Sequence, residues 1–450
     1  MRSARAVVVG GGWAGLAAAT ALQRAGWQVT VLEATARLGG RAFSFWDAET
    51  AMWLDNGQHV LLGACEQVVH WLDSLGLEEA VHFQPVLDLP TWADGKWASL
   101  AGSRWPGSLH LLPGLLSYRH LTLPQRLRAL SAASRILKGH PSPASTFAEW
   151  LVERGQDAAT RRRLWEMMEV AILNCSPEAA DAGLALKALS LVLEQGWKGA
   201  RLGFFRLPLG QLADQVGDWL REHGVAIRLR TPVRALAVEG GRVVGVQPAG
   251  QPRISADGVV LAIPWDRAFP LVPEPVRDPS WPAPSQLSWS PIWNLYLWYD
   301  RPVLDQPVVA FPDGISQFVF ERGQLLGLDT WKGRHLAVSL SAADTVADRP
   351  RTQLLAEIQA ELGEALPRLA GARLQRWRWV LQPRATFRAT PEAVTRRPPP
   401  WTGVEGLARA GDWTDTGWPA CLEGAVGSGF SAARVLSEGS ACPTAGTSSS

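Results

Sequence analysis

The chain has 450 residues, of which 47% are hydrophobic and 19% charged, and its formal net charge is +2. That balance excludes a disordered or collagen-like chain and gives no basis for nucleic-acid binding or for an acidic substrate. The length allows two domains, or one large domain with an elaborate insertion.

Arg5–Val9 reads as a short apolar strand, Ala14–Ala25 as an Ala/Leu helix, and Val29–Leu32 as a second strand ending on Glu33. Between strand and helix, Gly10, Gly12 and Gly15 form G-x-G-x-x-G, with Trp13 and Ala14 inside the motif. The first glycine allows the tight turn, the second admits a pyrophosphate to the backbone, and the third lets the helix pack on the sheet. Glu33, followed by Ala34, stands where a carboxylate accepts ribose hydroxyls. Arg2, Arg5 and the apolar run that follows mimic a signal peptide, but the glycines serve a nucleotide fold and the helix continues through Gln23 and Arg24.

Further along, LDNGQH (Leu54–His59) precedes an amphipathic helix over Cys65–Gly76, with Val68, Val69, Leu72 and Leu75 on one face. Short apolar runs in 84–108 suggest strands outside the nucleotide unit. The 108–140 segment is Leu-rich, and a helix begins after Thr122, with Pro124 in its first turn. Leu127, Leu130, Ala133 and Ile136 share its predicted inner face, with Arg126, Arg128, Arg135 and Lys138 elsewhere. A basic amphipathic helix beside a Leu/Trp-rich loop suits a membrane surface; packing on its own domain suits the same pattern. Helices continue through 146–194. Residues 206–247 read as helix, strand, strand, a turn at Gly240–Gly241, and strand. Ala256–Pro264 holds a buried strand; a Pro-rich stretch to Pro291 precedes the strands NLYLWYD and QFVFER. Thr352–Leu369 reads as a helix, Arg373–Leu381 as a strand, and the last dozen residues as a disordered tail. Cys65, Cys175, Cys421 and Cys442 have no metal-ligand spacing, so a reduced, cytoplasmic protein without metal is expected. No run approaches about 18 apolar residues, so no transmembrane helix is expected.

Three segments bear on the nucleotide. Leu38-Gly39-Gly40-Arg41 follows Glu33; Ala410-Gly411-Asp412 ends a strand; and Glu423-Gly424-Ala425-Val426-Gly427-Ser428-Gly429 begins a helix. With the opening fingerprint, these resemble the flavoprotein superfamily of amine oxidases and carotenoid desaturases. LDNGQHVLLGA, AILNCSP, PIWNLYLWYDRPV, RATF and AGDWTDTGWPACLEGAVGSG narrow the resemblance to the hydroxysqualene dehydroxylase family, over nearly the whole chain.

The resemblance implies FAD as cofactor. The fold it implies is α/β: a discontinuous Rossmann-type FAD-binding domain (1–83, 200–268 and 401–437), a mixed α+β substrate domain (84–199 and 269–400), and a tail at 438–450. By the same resemblance, Gly39, Gly40, Arg41, Asn56, Gly57, Gln58, His59, Val233, Gly411, Asp412, Gly424, Ala425 and Val426 join the glycine motif and Glu33 at the cofactor. The implied reaction converts hydroxysqualene, a prenyl lipid, to squalene, with an external electron donor because no NAD(P)H domain is evident. Loss of an allylic hydroxyl needs an acid, and His59, Asp415 and Glu423 are the candidate donors, with Asp55 nearby. A cation in an apolar cleft gains from aromatic faces, which gives Trp293, Trp298, Trp413 and Trp418 an alternative to plain packing. Cys421 stands where Thr or Ser is expected, and a thiol there raises the idea of a covalent flavin link beside that of a small buried residue. A carotenoid-type desaturase is the nearest alternative, ahead of an amine oxidase or a non-catalytic lipid carrier.

Overall fold

In the computed structural model, residues 3–138 and 145–438 are described; the expected tail from 439 onward lies outside them. β1 (Arg5–Val9), α1 (Trp13–Arg24) and β2 (Gln28–Leu32) form the expected unit. Val7, Val8 and Val9 are all buried, the continuous apolar run of a strand covered on both faces. β1 is central, between β2 and Gly258–Leu261. Ala226–Arg228 lies outside β2, Leu407–Arg409 outside Gly258–Leu261, and all five strands are parallel. The sheet therefore gathers segments hundreds of residues apart. The C-terminal helix Leu422–Glu438 crosses α1 so closely that a Cβ on Gly429 would lie 2.2 Å from the Ala14 carbonyl oxygen.

A hairpin, β3 (Ser44–Asp47) and β4 (Met52–Asp55), and a helix, α2 (Glu66–Asp73), follow the nucleotide unit. The turn Gly240–Gly241 links Val233–Glu239 to Arg242–Pro248, and both glycines have positive φ, 58° and 79°, as a two-residue hairpin turn requires.

The second body is a seven-stranded mixed sheet. Its order is Leu374–Phe387, Trp289–Tyr299, His335–Leu340, Gln317–Glu321, Val308–Phe311, Asp88–Ala93, Lys96–Ala101. Two of its strands run through prolines, the first of which, Pro291, was expected to precede its strand. Trp289–Tyr299 contains Pro291, and Leu374–Phe387 contains Pro383. Between Ser290 and Ile292 the register shifts, so the prolines occupy an irregular stretch where a ladder donor is not needed. Along Trp289–Tyr299, Trp293, Leu295 and Leu297 pack toward the helix Arg351–Ala365, through Leu354, Ile358 and Leu362. Asn294 and Tyr296 point the other way and hydrogen-bond the carbonyls of Asn56 and Asp55. This alternation joins the two bodies.

Helices fill much of 107–199. α3 (Leu112–Ser117) and α4 (Leu123–Ile136) come first, α4 opening on a Thr122–Gln125 capping box. The inner face of α4 is the predicted one with a shift at its start: Ile136 is buried and Leu130 and Ala133 pack on the core as expected, but Leu127 is exposed, and Ala129 and Ala132 are buried beside them. The small residues allow close approach, which periodicity weighted by side-chain size does not register.

Candidate flavin site

The glycine loop forms the end of the site that would take the adenosine half of a dinucleotide. Gly10 sits at φ +109°, and a Cβ there would lie 2.4 Å from the Ala262 carbonyl oxygen; one on Gly15 would lie 1.9 Å from that of Gly10. Gly12 caps α1 without a side-chain bond, which leaves first-turn N–H groups around Trp13 and Ala14 for an anion. The Glu33 carboxylate is buried and oriented by two backbone donors, Gly11 N–H at 2.7 Å and Thr35 N–H at 2.8 Å; Ala34 is exposed beside it. Thr231 N–H donates to the Glu33 carbonyl at 2.8 Å, which brings the strand starting at Val233 alongside. Gly39 N–H donates to Gly11 O at 2.9 Å, and Gly40 packs on Gly12, where a Cβ would lie 3.0 Å from the Gly12 Cα. The second glycine turn thus closes onto the first.

At the other end, Arg41 pairs with Asp412 and donates to the Ala385 carbonyl at 3.1 Å. Asn56 clamps the same turn, donating to Arg41 O at 2.6 Å and accepting from Phe43 N–H at 3.0 Å. Buried Arg397 holds the Asp412 and Thr414 carbonyls at 3.2 and 2.6 Å. Gly411 N–H donates to Ser428 Oγ at 2.8 Å, which ties the Asp412 turn to the C-terminal helix bearing Gly424, Ala425 and Val426.

Two expected proton donors are corrected here. The Glu423 carboxylate accepts from Gln67 N–H at 2.9 Å and Val68 N–H at 3.0 Å, so it caps the N-terminus of α2 rather than facing a substrate. Asp415 is exposed and accepts from Gly417 N–H at 3.3 Å, so solvent rather than burial surrounds its carboxylate. Cys421 Sγ accepts from Gly424 N–H at 3.4 Å, and burial pushes its thiol up to about 12.

His59 lies in a charged cluster. Its Nδ1 is 2.9 Å from the Gly57 carbonyl, so Nδ1–H donates and Nε2 keeps a lone pair. Burial lowers its pKa, opposed by Asp55 and by the Gly57 bond and reinforced by Arg322. A ring of this tautomer presents Nε2 as an acceptor for a proton or a hydroxyl hydrogen, and the expected donor role would need Nε2 to be protonated first. Beneath it, Arg322 Nη1 pairs with Asp55 at 2.9 Å and donates to Gln58 Oε1 at 2.7 Å. Asn294 Oδ1 accepts from Gln58 N–H at 3.3 Å, and a Cβ on Gly57 would meet Asn294 Nδ2 at 3.1 Å. His335 stacks on Trp298 at 4.6 Å, buried with both ring nitrogens unpartnered, and burial holds it well below the usual histidine range.

The tryptophans pack. Trp298 is covered by His335, Trp293 turns toward Trp379 on the opposite sheet face, and Trp413 donates to Ile263 O at 3.1 Å. Trp418 is half-buried against the nucleotide-side core.

Sequence reasoning missed Arg322, Asn294 and Glu169. Arg322 follows the alternating strand QFVFE, and nothing local marks it as buried. Glu169, on the helix Met167–Leu173 after a π-helical turn, is 1% exposed with neither carboxyl oxygen bonded. Burial, then Glu166 and Glu178, push its pKa well up, so the folded chain holds it protonated. An acid that gains a proton on folding loses stability as pH rises from about 4.5 through its folded pKa, by up to about 1.4 kcal/mol per unit. Glu169→Gln needs no proton, so its stability relative to the parent should climb between pH 5 and 7 in urea unfolding. A pH-independent difference would mean that the carboxyl is ionised in the fold.

Glycines with no room for a Cβ, an uncapped helix start and an oriented acid at the next strand end fit a dinucleotide, and the Arg41–Asp412 return extends the site past its pyrophosphate. This is the fold and site of an FAD-dependent oxidoreductase. The chain belongs to the flavin containing amine oxidoreductase family, which matches residues 13–437. It is 30% identical over 446 residues to hydroxysqualene dehydroxylase of Sinorhizobium fredii, covering 96% of this chain and 98% of that protein. It is 24% identical over 465 residues to 15-cis-phytoene desaturase of Synechococcus elongatus, covering 96% and 95%. The structure of cyclohexylamine oxidase from Brevibacterium oxydans superposes with a TM-score of 0.72 at 20% identity, covering 97% and 99%. These relatives define a flavin-dependent oxidoreductase of the isoprenoid type. Among the described residues, no helix is long and apolar enough to cross a membrane.

Proposed function

We propose that this flavoprotein reduces hydroxysqualene to squalene: the hydroxyl takes up a proton supplied from solvent and leaves as water as the allylic C–O bond breaks, and a hydride replaces it on carbon. The reading is carried by the full-length likeness to hydroxysqualene dehydroxylase, at higher identity than the likeness to phytoene desaturase. Bound and reduced FAD supplies the hydride. Gly10, Gly12, Gly15, Glu33, Gly39–Arg41 and Asp412 hold the cofactor. His59 Nε2, an acceptor, suits the substrate's O–H and would orient the C–O bond, with Arg322, Asp55 and Asn294 fixing the loop that carries it. Reducing equivalents come from an external donor.

Anaerobic, photoreduced enzyme incubated with hydroxysqualene should yield squalene, identified by mass, while oxidised enzyme should leave phytoene unchanged. Desaturation of phytoene without turnover of hydroxysqualene would replace this reading with the desaturase one.

A further inference from the structure

The first half of α4 turns large side chains outward. Ala129 and Ala132 face inward, while Leu123 and Leu127 are 59% and 54% exposed. The preceding turns do the same, with Leu109 50% and Leu116 39% exposed, and Trp105 is open to solvent as well. Arg126, between the two α4 leucines, donates to Leu116 O at 2.5 Å and to Leu121 O at 2.8 Å. Those bonds hold the end of α3 against the start of α4, so Leu116, Leu123 and Leu127 share one surface. Leu109 is exposed in the 3-10 turn that leads directly into α3. Single exposed leucines are ordinary; five large apolar side chains within 105–127 are a patch.

The charge around this patch has one sign. Between Asp94 and Glu149 the sequence contains seven Lys or Arg and no Asp or Glu. Arg104, Arg119, Arg135 and Lys138 form no ion pair among the described residues, and Arg128 has only a 4.0 Å approach to Asp157. Two copies meeting through this face would set its seven cations against seven more, with Asp157, already bonded to Gln125, as the acid beside α4. Lipid phosphates answer them directly, and acyl chains accept the leucines.

We propose that the α3–α4 face docks on an anionic lipid bilayer, with Leu109, Leu116, Leu123 and Leu127 entering the acyl boundary and the flanking arginines at the phosphate level. Delivery of a prenyl lipid gives the surface its purpose under the reading above, but docking itself requires no turnover and is measured without substrate.

The test uses FAD-loaded protein and sucrose-filled vesicles of phosphatidylglycerol and phosphatidylcholine, sedimented at low and high salt. The parent should partition onto them and bind pure phosphatidylcholine about tenfold more weakly, with high salt reducing the anionic component. The triple variant Leu116→Gln/Leu123→Gln/Leu127→Gln should bind about tenfold less, with unchanged flavin absorption as the check on its fold. Absence of parent binding, or a correctly folded variant that binds equally well, overturns the proposal. So does a concentration-dependent dimer in the parent that the variant abolishes, which would give the face to a second copy.

Discussion

Arg322→Met is expected to destabilise the protein by about 3–5 kcal/mol, the cost of leaving a buried charge without its partner. Arg322 and Asp55 have side chains 2% and 5% exposed and meet at 2.9 Å. Without the guanidinium, the Asp55 carboxylate keeps only Ser44 Oγ at 2.6 Å and Leu209 N–H at 2.9 Å as donors. Gln58 loses the donor that fixes its side chain, so the loop that presents His59 loosens as well. The double variant Asp55→Asn/Arg322→Met removes both charges and should recover much of the loss. Urea unfolding of the flavin-loaded proteins checks both. A single variant as stable as the parent, or a double variant no better than the single, would show that the pair is not a buried charge couple in solution.

The second large effect is Gly15→Val, which should yield protein without bound flavin. The added Cβ would fall 1.9 Å from the Gly10 carbonyl oxygen, a backbone atom fixed in the turn after β1, so relief requires moving α1 off the sheet. Helix start and glycine cradle would then part, and with them the N–H groups that meet the pyrophosphate. Gly26→Ala is the control. Gly26 sits at φ +81° with nothing within 4 Å of a Cβ, so the cost is left-handed strain alone, about 1–2 kcal/mol, with flavin retained. The ratio of flavin to protein absorbance after gel filtration separates the two. Flavin retained by Gly15→Val would contradict the close approach.

The nucleotide end was legible because its signals are local. Gly10–Gly15 and Glu33 are within one strand–helix–strand unit, and spacing alone places them. Gly39–Arg41 and Asp412 were reached through family resemblance, and their meeting is a tertiary fact. The proton donors were not legible. Glu423 looked like a site carboxylate because it lies at a flavin-facing helix start, and it answers instead to α2, more than 350 residues earlier in the chain. Asp415 shares a motif with Asp412, but two residues of turn separate a buried side chain from an exposed one. Arg322 lay outside any motif, since its burial depends on Asp55 arriving from another sheet. The α4 stripe held at Leu130, Ala133 and Ile136 and missed at Leu127, because hydrophobicity ranks Leu above Ala, while helix contact at short range selects Ala129 and Ala132.

The order of strands in the parallel sheet also bears on how the molecule is made. β1 has one neighbour from residues 28–32, but the other comes from 258–261, and the Arg41–Asp412 closure waits for the last tenth of the chain. During synthesis the first glycine loop leaves the ribosome long before anything can cover it, and its apolar strand stays without its second partner for more than 200 residues. Such distant pairings are slow to form and leave hydrophobic edges open meanwhile. Truncation before residue 412 would therefore release a nascent chain with an unfinished cup, suited to chaperones and proteases rather than to FAD.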